Sequence, residues 1–167
     1  MRLAPVGVIW MLAMMVLASG CNPASPLDTF KSLVDTEESA LRSKYPAIPV
    51  LKFAFDVKKT DSLASPYLGT INIDTTWRQF PNEINESTGI YETDARISMY
   101  YAMQDGKWVY KNFEWVKSNW RVLKDVPGGV CRQTAAQMNQ QAGIPVALEM
   151  KPEIMWQTLN EIMSKTP

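Results

Sequence analysis

The chain of 167 residues contains no histidine. That removes the commonest general base, the commonest metal ligand and every Ser-His-Asp or Cys-His arrangement. Cysteine occurs only at Cys21 and Cys131, too few thiolates to build a metal site of their own. With 8 glycines, the chain also lacks the G-x-x-x-x-G-K, G-x-G-x-x-G and G-x-S-x-G spacings of phosphate loops, dinucleotide folds and nucleophile elbows. Neither sign of charge is in excess, at 17 basic and 17 acidic residues. Without a basic stripe to neutralise phosphates, nucleic acid is a poor candidate partner. Paired carboxylates are conceivable among Asp56, Asp74, Glu92 and Asp94, but no spacing singles out a pair. The sequence therefore reads as a non-catalytic protein, with no catalytic residue, metal or cofactor assigned.

What is present begins with an address. Arg2 supplies a short positive start, "VGVIWMLAMMVLA" (6–18) is an uncharged apolar run, and small Ser19 and Gly20 precede Cys21. These are the three parts of a secretory signal. The run is at the lower edge of a membrane-spanning length, yet Pro5 interrupts its start and no basic residue follows until Lys31. "LASGC" (17–21) resembles the lipobox of bacterial lipoproteins, a likeness confined to the first two dozen residues. The third residue before the cysteine is Ala18, with the customary Leu one place earlier at Leu17. The resemblance implies cleavage between Gly20 and Cys21 and acyl chains on Cys21. It also implies a lipid anchor outside the cytoplasm, and Asn22 after the cysteine points by analogy to the outer membrane facing the periplasm. Removing residues 1–20 leaves 147 residues, one domain's worth, with sixteen basic groups against seventeen acidic. Cys131 is then the only other thiol: buried, bridging between molecules, or paired with an uncleaved Cys21.

Along the mature chain, residues 21–27 form a tether and 28–125 a helix followed by strands. Ser25 suits an N-cap, Pro26 the first helical position and Asp28 the first turn. Phe30, Leu33, Val34, Ala40 and Leu41 make the apolar stripe, with Glu37 at its edge. "VLKFAFDVKK" (50–59) and "GTINIDTTWR" (69–78) alternate with period two and predict antiparallel neighbours, the first with Leu51, Phe53, Phe55 and Val57 on one face. Residues 79–94 are polar and predict a surface loop. Asp105-Gly106, between "ARISMYYAMQ" and "KWVYKNFEWV", predicts a type I′ hairpin opposing Tyr101 to Tyr110 and Met103 to Trp108. A bulge near Lys111–Asn112 would keep Phe113 and Trp115 on the apolar face. A turn at Ser118-Asn119 leads to a short last strand. Residues 126–167 predict a glycine-marked linker, a weak polar helix and an amphipathic helix over 151–165 with Met155, Trp156, Leu159, Ile162 and Met163 on one side.

The order predicts an α+β fold: an N-terminal helix packed on a curved antiparallel sheet of four to five strands, with a C-terminal amphipathic helix. It loosely resembles the cystatin and NTF2-like class in element order alone. Rings fall on both faces of the hairpin, and the 126–165 tail is expected to cover the second face, giving a two-sided core. Two functions fit. The first is an envelope accessory or scaffold that binds another envelope component. The second is a small-molecule binder with an aromatic pocket between sheet and helix. Trp77, Tyr101, Trp108, Tyr110, Trp115 and Trp156 are the candidate ligand or partner contacts.

Overall fold

A computed structural model describes residues 24–79, 89–126, 128–148 and 151–165. The order is α1 (Pro26–Lys44), β1 (Lys52–Lys59), β2 (Tyr67–Gln79), β3 (Ile90–Gln104), β4 (Lys107–Lys124), α2 (Val130–Gln140), β5 (Val146–Leu148) and α3 (Pro152–Ser164). The fold is α+β, with one helix ahead of an antiparallel sheet of order β1-β2-β3-β4-β5. Residues 1–20 and Cys21 lie outside the described residues. Among those described, no helix is long and apolar enough to cross a membrane.

Local signals set the first helix. Ser25 Oγ accepts the Asp28 N–H at 3.1 Å, Pro26 occupies the first turn, and the Tyr45 N–H closes the C-terminus on Leu41 O at 3.0 Å. On its solvated side Glu38 and Arg42, one turn apart, form an ion pair at 2.7 Å. Phe30, Val34 and Leu41 are buried. The Phe30 ring lies over Gly69, where any Cβ would run into it. A glycine inside a strand marks such close approach. Around that ring stand Trp108, Tyr101 and Phe55, with centroids at 4.5, 5.7 and 6.0 Å. The Trp108 Nε1–H donates to Thr29 Oγ1 at 3.1 Å, which seats the start of α1 at the hairpin end of the sheet.

In the hairpin, Asp105 and Gly106 both take positive φ, 48° and 73°, as a type I′ turn requires. Tyr101 opposes Tyr110 while Tyr100 opposes Asn112, so Lys111 is the extra residue of a bulge. The bulge turns Phe113 and Trp115 to the apolar face and Asn112 and Glu114 to the other. That agrees with the sequence pattern.

Several expectations need correction. Ser118-Asn119 is no turn, because β4 continues to Lys124. Asn119, at φ 55°, lies with Trp120 opposite Thr93 in a second bulge, and Asn tolerates the left-handed region. Residues 90–94, read as loop, begin β3. Tyr91 and Thr93 are buried there, and the Thr93 hydroxyl donates to Ser118 O. Only 80–88 of the expected loop stay undescribed. Leu51 precedes β1 and is exposed instead of facing the core. The strand β5, paired through Phe113↔Leu148 and Trp115↔Val146, had no counterpart in the sequence reading.

The tail does not cover the second face either. β2 and β3 pair without interruption from Leu68↔Ala102 to Gln79↔Tyr91, so Tyr91, Ile97 and Tyr101 share one face. Met155, Trp156, Leu159 and Met163 of α3 join Phe30, Ile71 and Ile97 in a single core. α2 puts Cys131 and Ala135 on Tyr91. All three helices therefore lie on one side of the sheet, and the Cys131 thiol is free and buried.

Because Phe30 is fully buried, Phe30→Ala should destabilise the domain by about 3–5 kcal/mol. The exposed Lys31→Ala should stay within about 0.5 kcal/mol of the parent. Urea unfolding of the two variants beside the parent chain checks both.

Candidate functional site

The helices leave a cleft of about 420 Å³ over the hairpin, lined by Glu37, Lys44, Tyr101, Tyr110, Glu153 and Trp156, among others. Glu37 reaches it because it follows Val34 by three residues and precedes Leu41 by four, which keeps it beside the buried stripe. Pro152 starts α3 and sets Glu153 in its first turn. The Tyr45 hydroxyl donates to Glu153 O at 3.4 Å and the Ala47 N–H to Asn160 Oδ1 at 3.0 Å, tying α3 to the end of α1. On the floor, the Tyr101 and Tyr110 rings meet edge to face at 5.7 Å.

The electrostatics of the cleft favour protonated groups. Burial pushes the Glu37 carboxyl up, and the negative charge of Glu153 adds to the shift while Lys44 opposes it. Burial also raises the Tyr101 hydroxyl, helped by Glu37. The Tyr110 hydroxyl rises for the same first reason, with Glu153 adding. Both phenols therefore stay neutral near neutral pH and can donate hydrogen bonds.

The six aromatic candidates divide into three groups. Tyr101, Tyr110 and Trp156 line the cleft. Trp108 is taken up under α1 by Phe30 and Thr29. Trp77 and Trp115 stand together elsewhere, 4.9 Å apart and edge to face. Between them lies Lys117, whose Nζ is 4.4 Å from the Trp77 ring, 4.1 Å from Trp115 and 5.7 Å from Trp120. Burial lowers the ammonium to about 8, and the ring faces, which favour a cation, act against that shift. Lys117 is not among the residues that the sequence singles out. Its signal was parity, since the bulge that turns Phe113 and Trp115 inward also turns residue 117.

The opposite face of the sheet holds the carboxylates considered as acid–base pairs. Glu92 is bridged by Arg78 at 2.9 Å and Arg121 at 2.7 Å. Asp94 meets Arg121 and Asp74 meets Arg96, each at 2.7 Å. Asp56 reaches Lys58 at 3.8 Å. Burial alone would raise Glu92, but hydrogen bonds from Arg78 and Arg121 hold it below the usual range. Hydrogen bonds from Asn119 and Arg121 lower Asp94, and one from Arg96 lowers Asp74. Carboxylates held ionised in this way are poor proton donors near neutral pH. Among the described residues, no group of three or more Cys, Asp or Glu is arranged to hold a metal ion.

No protein-family model matches the chain, and searches of curated proteins and of solved structures gave no match. The likeness in element order to cystatin and NTF2-like folds thus carries no functional argument.

Two titrations follow. Loss of the Lys117 charge beneath three indoles should change the intrinsic tryptophan fluorescence with a midpoint between about 8 and the ordinary 10.5, and Lys117→Met should abolish that step. A folded Glu37 that holds its proton more tightly than the unfolded chain costs stability at neutral pH. The cost fades as pH falls through the raised folded value and is gone below the ordinary 4.5. Glu37→Gln should accordingly raise the thermal midpoint at pH 7 by about 1–2 °C. The gain should vanish on the acid side, which melting curves across pH would show.

Proposed function

We propose that the chain is an exported, lipid-anchored, non-catalytic envelope lipoprotein that binds another envelope component as an accessory or scaffold. The observation that carries this reading is the junction between address and domain. A lipobox-like "LASGC" ends at Cys21, and a capped helix starts at Pro26. Loss of residues 1–20 would leave Ser25 and Asp28 in place to cap that helix and Phe30 in place to seed the core. Several acyl chains on Cys21 would hold the domain firmly, since a single chain binds a membrane only marginally. Asn22 supports the outer membrane by analogy with other lipoproteins. A free, buried Cys131 suits an oxidising compartment, where an exposed thiol would be vulnerable.

The cleft supports a second reading, a small-molecule binder. Two neutral phenols, Trp156 and the Glu37 and Glu153 carboxylates suit a small polar ligand carrying an amine or several hydroxyls.

Intact-mass measurement on protein purified from the native membrane should give a chain starting at Cys21 with acyl groups added. Cys21→Ser should shift the protein from the membrane to the soluble extract. An uncut or unacylated chain overturns the lipoprotein reading. Native mass spectrometry of the same sample separates the two functions: a co-purifying protein supports the scaffold, a retained small molecule the cleft.

A further inference from the structure

We infer that the end of the domain where α1 begins is a membrane-docking face, on which Leu27, Leu63, Leu68 and Val109 enter the interfacial layer of the bilayer that holds the Cys21 acyl chains. The inference rests on the lipoprotein reading and adds an orientation to it.

Chain length gives the first argument. Four peptide steps separate Cys21 from the helix cap Ser25, so their Cα atoms lie no more than about 14 Å apart however extended the chain. A lipid on Cys21 would hold the first turn of α1 within that reach of the headgroups. The second argument is which surface surrounds that turn. Thr29 accepts a hydrogen bond from Trp108, two residues past the hairpin turn. The register places Lys58, Leu68, Ala102 and Val109 in one row across four strands at this end, on the face of the sheet turned away from α1 and beside the β1–β2 connection.

That end carries four exposed apolar side chains. Leu27 is 54% exposed, Leu68 45% and Val109 37%, while Leu63 in the β1–β2 connection is 100% exposed. Scattered exposed leucines are ordinary, but these would rim, from both sides of the sheet, the end that a lipid on Cys21 holds at the bilayer. Charge does not supply the attraction. Lys58, Lys59 and Lys107 are matched there by Asp28, Asp56, Asp61 and Asp105, so docking by this face should be insensitive to salt. Apolar side chains that insert shallowly beside acyl chains would fix which end faces the bilayer. Leu123, fourteen residues further along β4 than Val109, lies roughly 45 Å away along the strand and serves as the internal control.

The test uses the acylated full chain in vesicles of phosphatidylethanolamine and phosphatidylglycerol that carry a phospholipid with a headgroup-level aryl diazirine. After illumination, peptide mass spectrometry should find label on the peptides holding Leu63, Leu68 and Val109 at roughly tenfold the level on the peptide holding Leu123. Added salt should not change it. Leu63→Glu and Leu68→Glu, both at exposed positions, should each cut the label at this end severalfold while acyl mass and thermal midpoint stay unchanged. An acylated chain labelled equally at both ends, or variants labelled like the parent, overturns the docking face and leaves the lipoprotein reading standing. A chain without acyl mass overturns both.

Discussion

The fold depends on β4 presenting its rings to one side of the sheet over eighteen residues. Strict alternation from Trp108 and Tyr110 would send Asn112 and Glu114 into the core and Phe113 and Trp115 to water. Burying an unpaired carboxylate costs far more than leaving one ladder position unpaired. The extra residue at Lys111 resolves the conflict, and Phe113 becomes fully buried opposite Met99. The second irregularity, at Asn119 and Trp120, does the same for the far end. It keeps Trp120 and Val122 with Tyr91 under α2 and leaves Arg121 on the wet face beside Glu92. With the apolar face unbroken, α1, α2 and α3 can all settle on it.

The one-sided core explains the character of the other face. Side chains there come as cross-strand pairs: Asp74 with Arg96, Asn72 with Ser98, Tyr100 with Glu114, and Glu92 between two arginines. Exposed ion pairs contribute little individually. The Glu92 side chain, however, is only 12% exposed, and its partners approach in fixed geometry from both neighbouring strands. These pairs help hold register, because a one-residue slip would turn the charged side chains toward the apolar face and a two-residue slip of β2 on β3 would set Asp74 opposite Asp94.

What could be read from the sequence was what short-range chemistry decides. The Ser25 cap, the Asp105-Gly106 turn and the Lys111 bulge depend on neighbours a few residues away, and all three stand as expected. The start of β3 was hidden because its inward residues are Tyr91 and Thr93, polar enough to resemble a loop. Their burial depends on α2 and on the Ser118 carbonyl, distant in sequence. Asn119 carries a turn-like φ, yet pairing with β3 on both sides keeps it inside a strand. Three-residue β5 has no pattern of its own and exists because β4 offers an edge. The cleft was half legible. Glu37 stood out at the edge of its stripe, but its partner Glu153 comes from a helix whose docking side the sequence does not determine.

The two ends of the sheet carry different chemistry, and a short tether would give that difference a direction. Near the start of α1 lie the exposed Leu27, Leu63 and Leu68 and the loop between β1 and β2. At the far end lie α2, the Lys117 group of indoles and the exposed Leu123 and Val130. A domain held by Cys21 could not present both ends to the same surroundings. With the leucine-bearing end against lipid, the α2 end would face outward, so an envelope partner would meet Leu123 and Val130 before anything else. The cleft floor residues Tyr101 and Tyr110 sit one row from Leu68 and Val109, on the opposite face of the sheet, so the cleft is close to the end where α1 begins. A ligand there would be held near the membrane surface, away from a partner docked at the far end. The scaffold and the ligand binder then need not compete for the same surface, and occupation of one site would leave the other open.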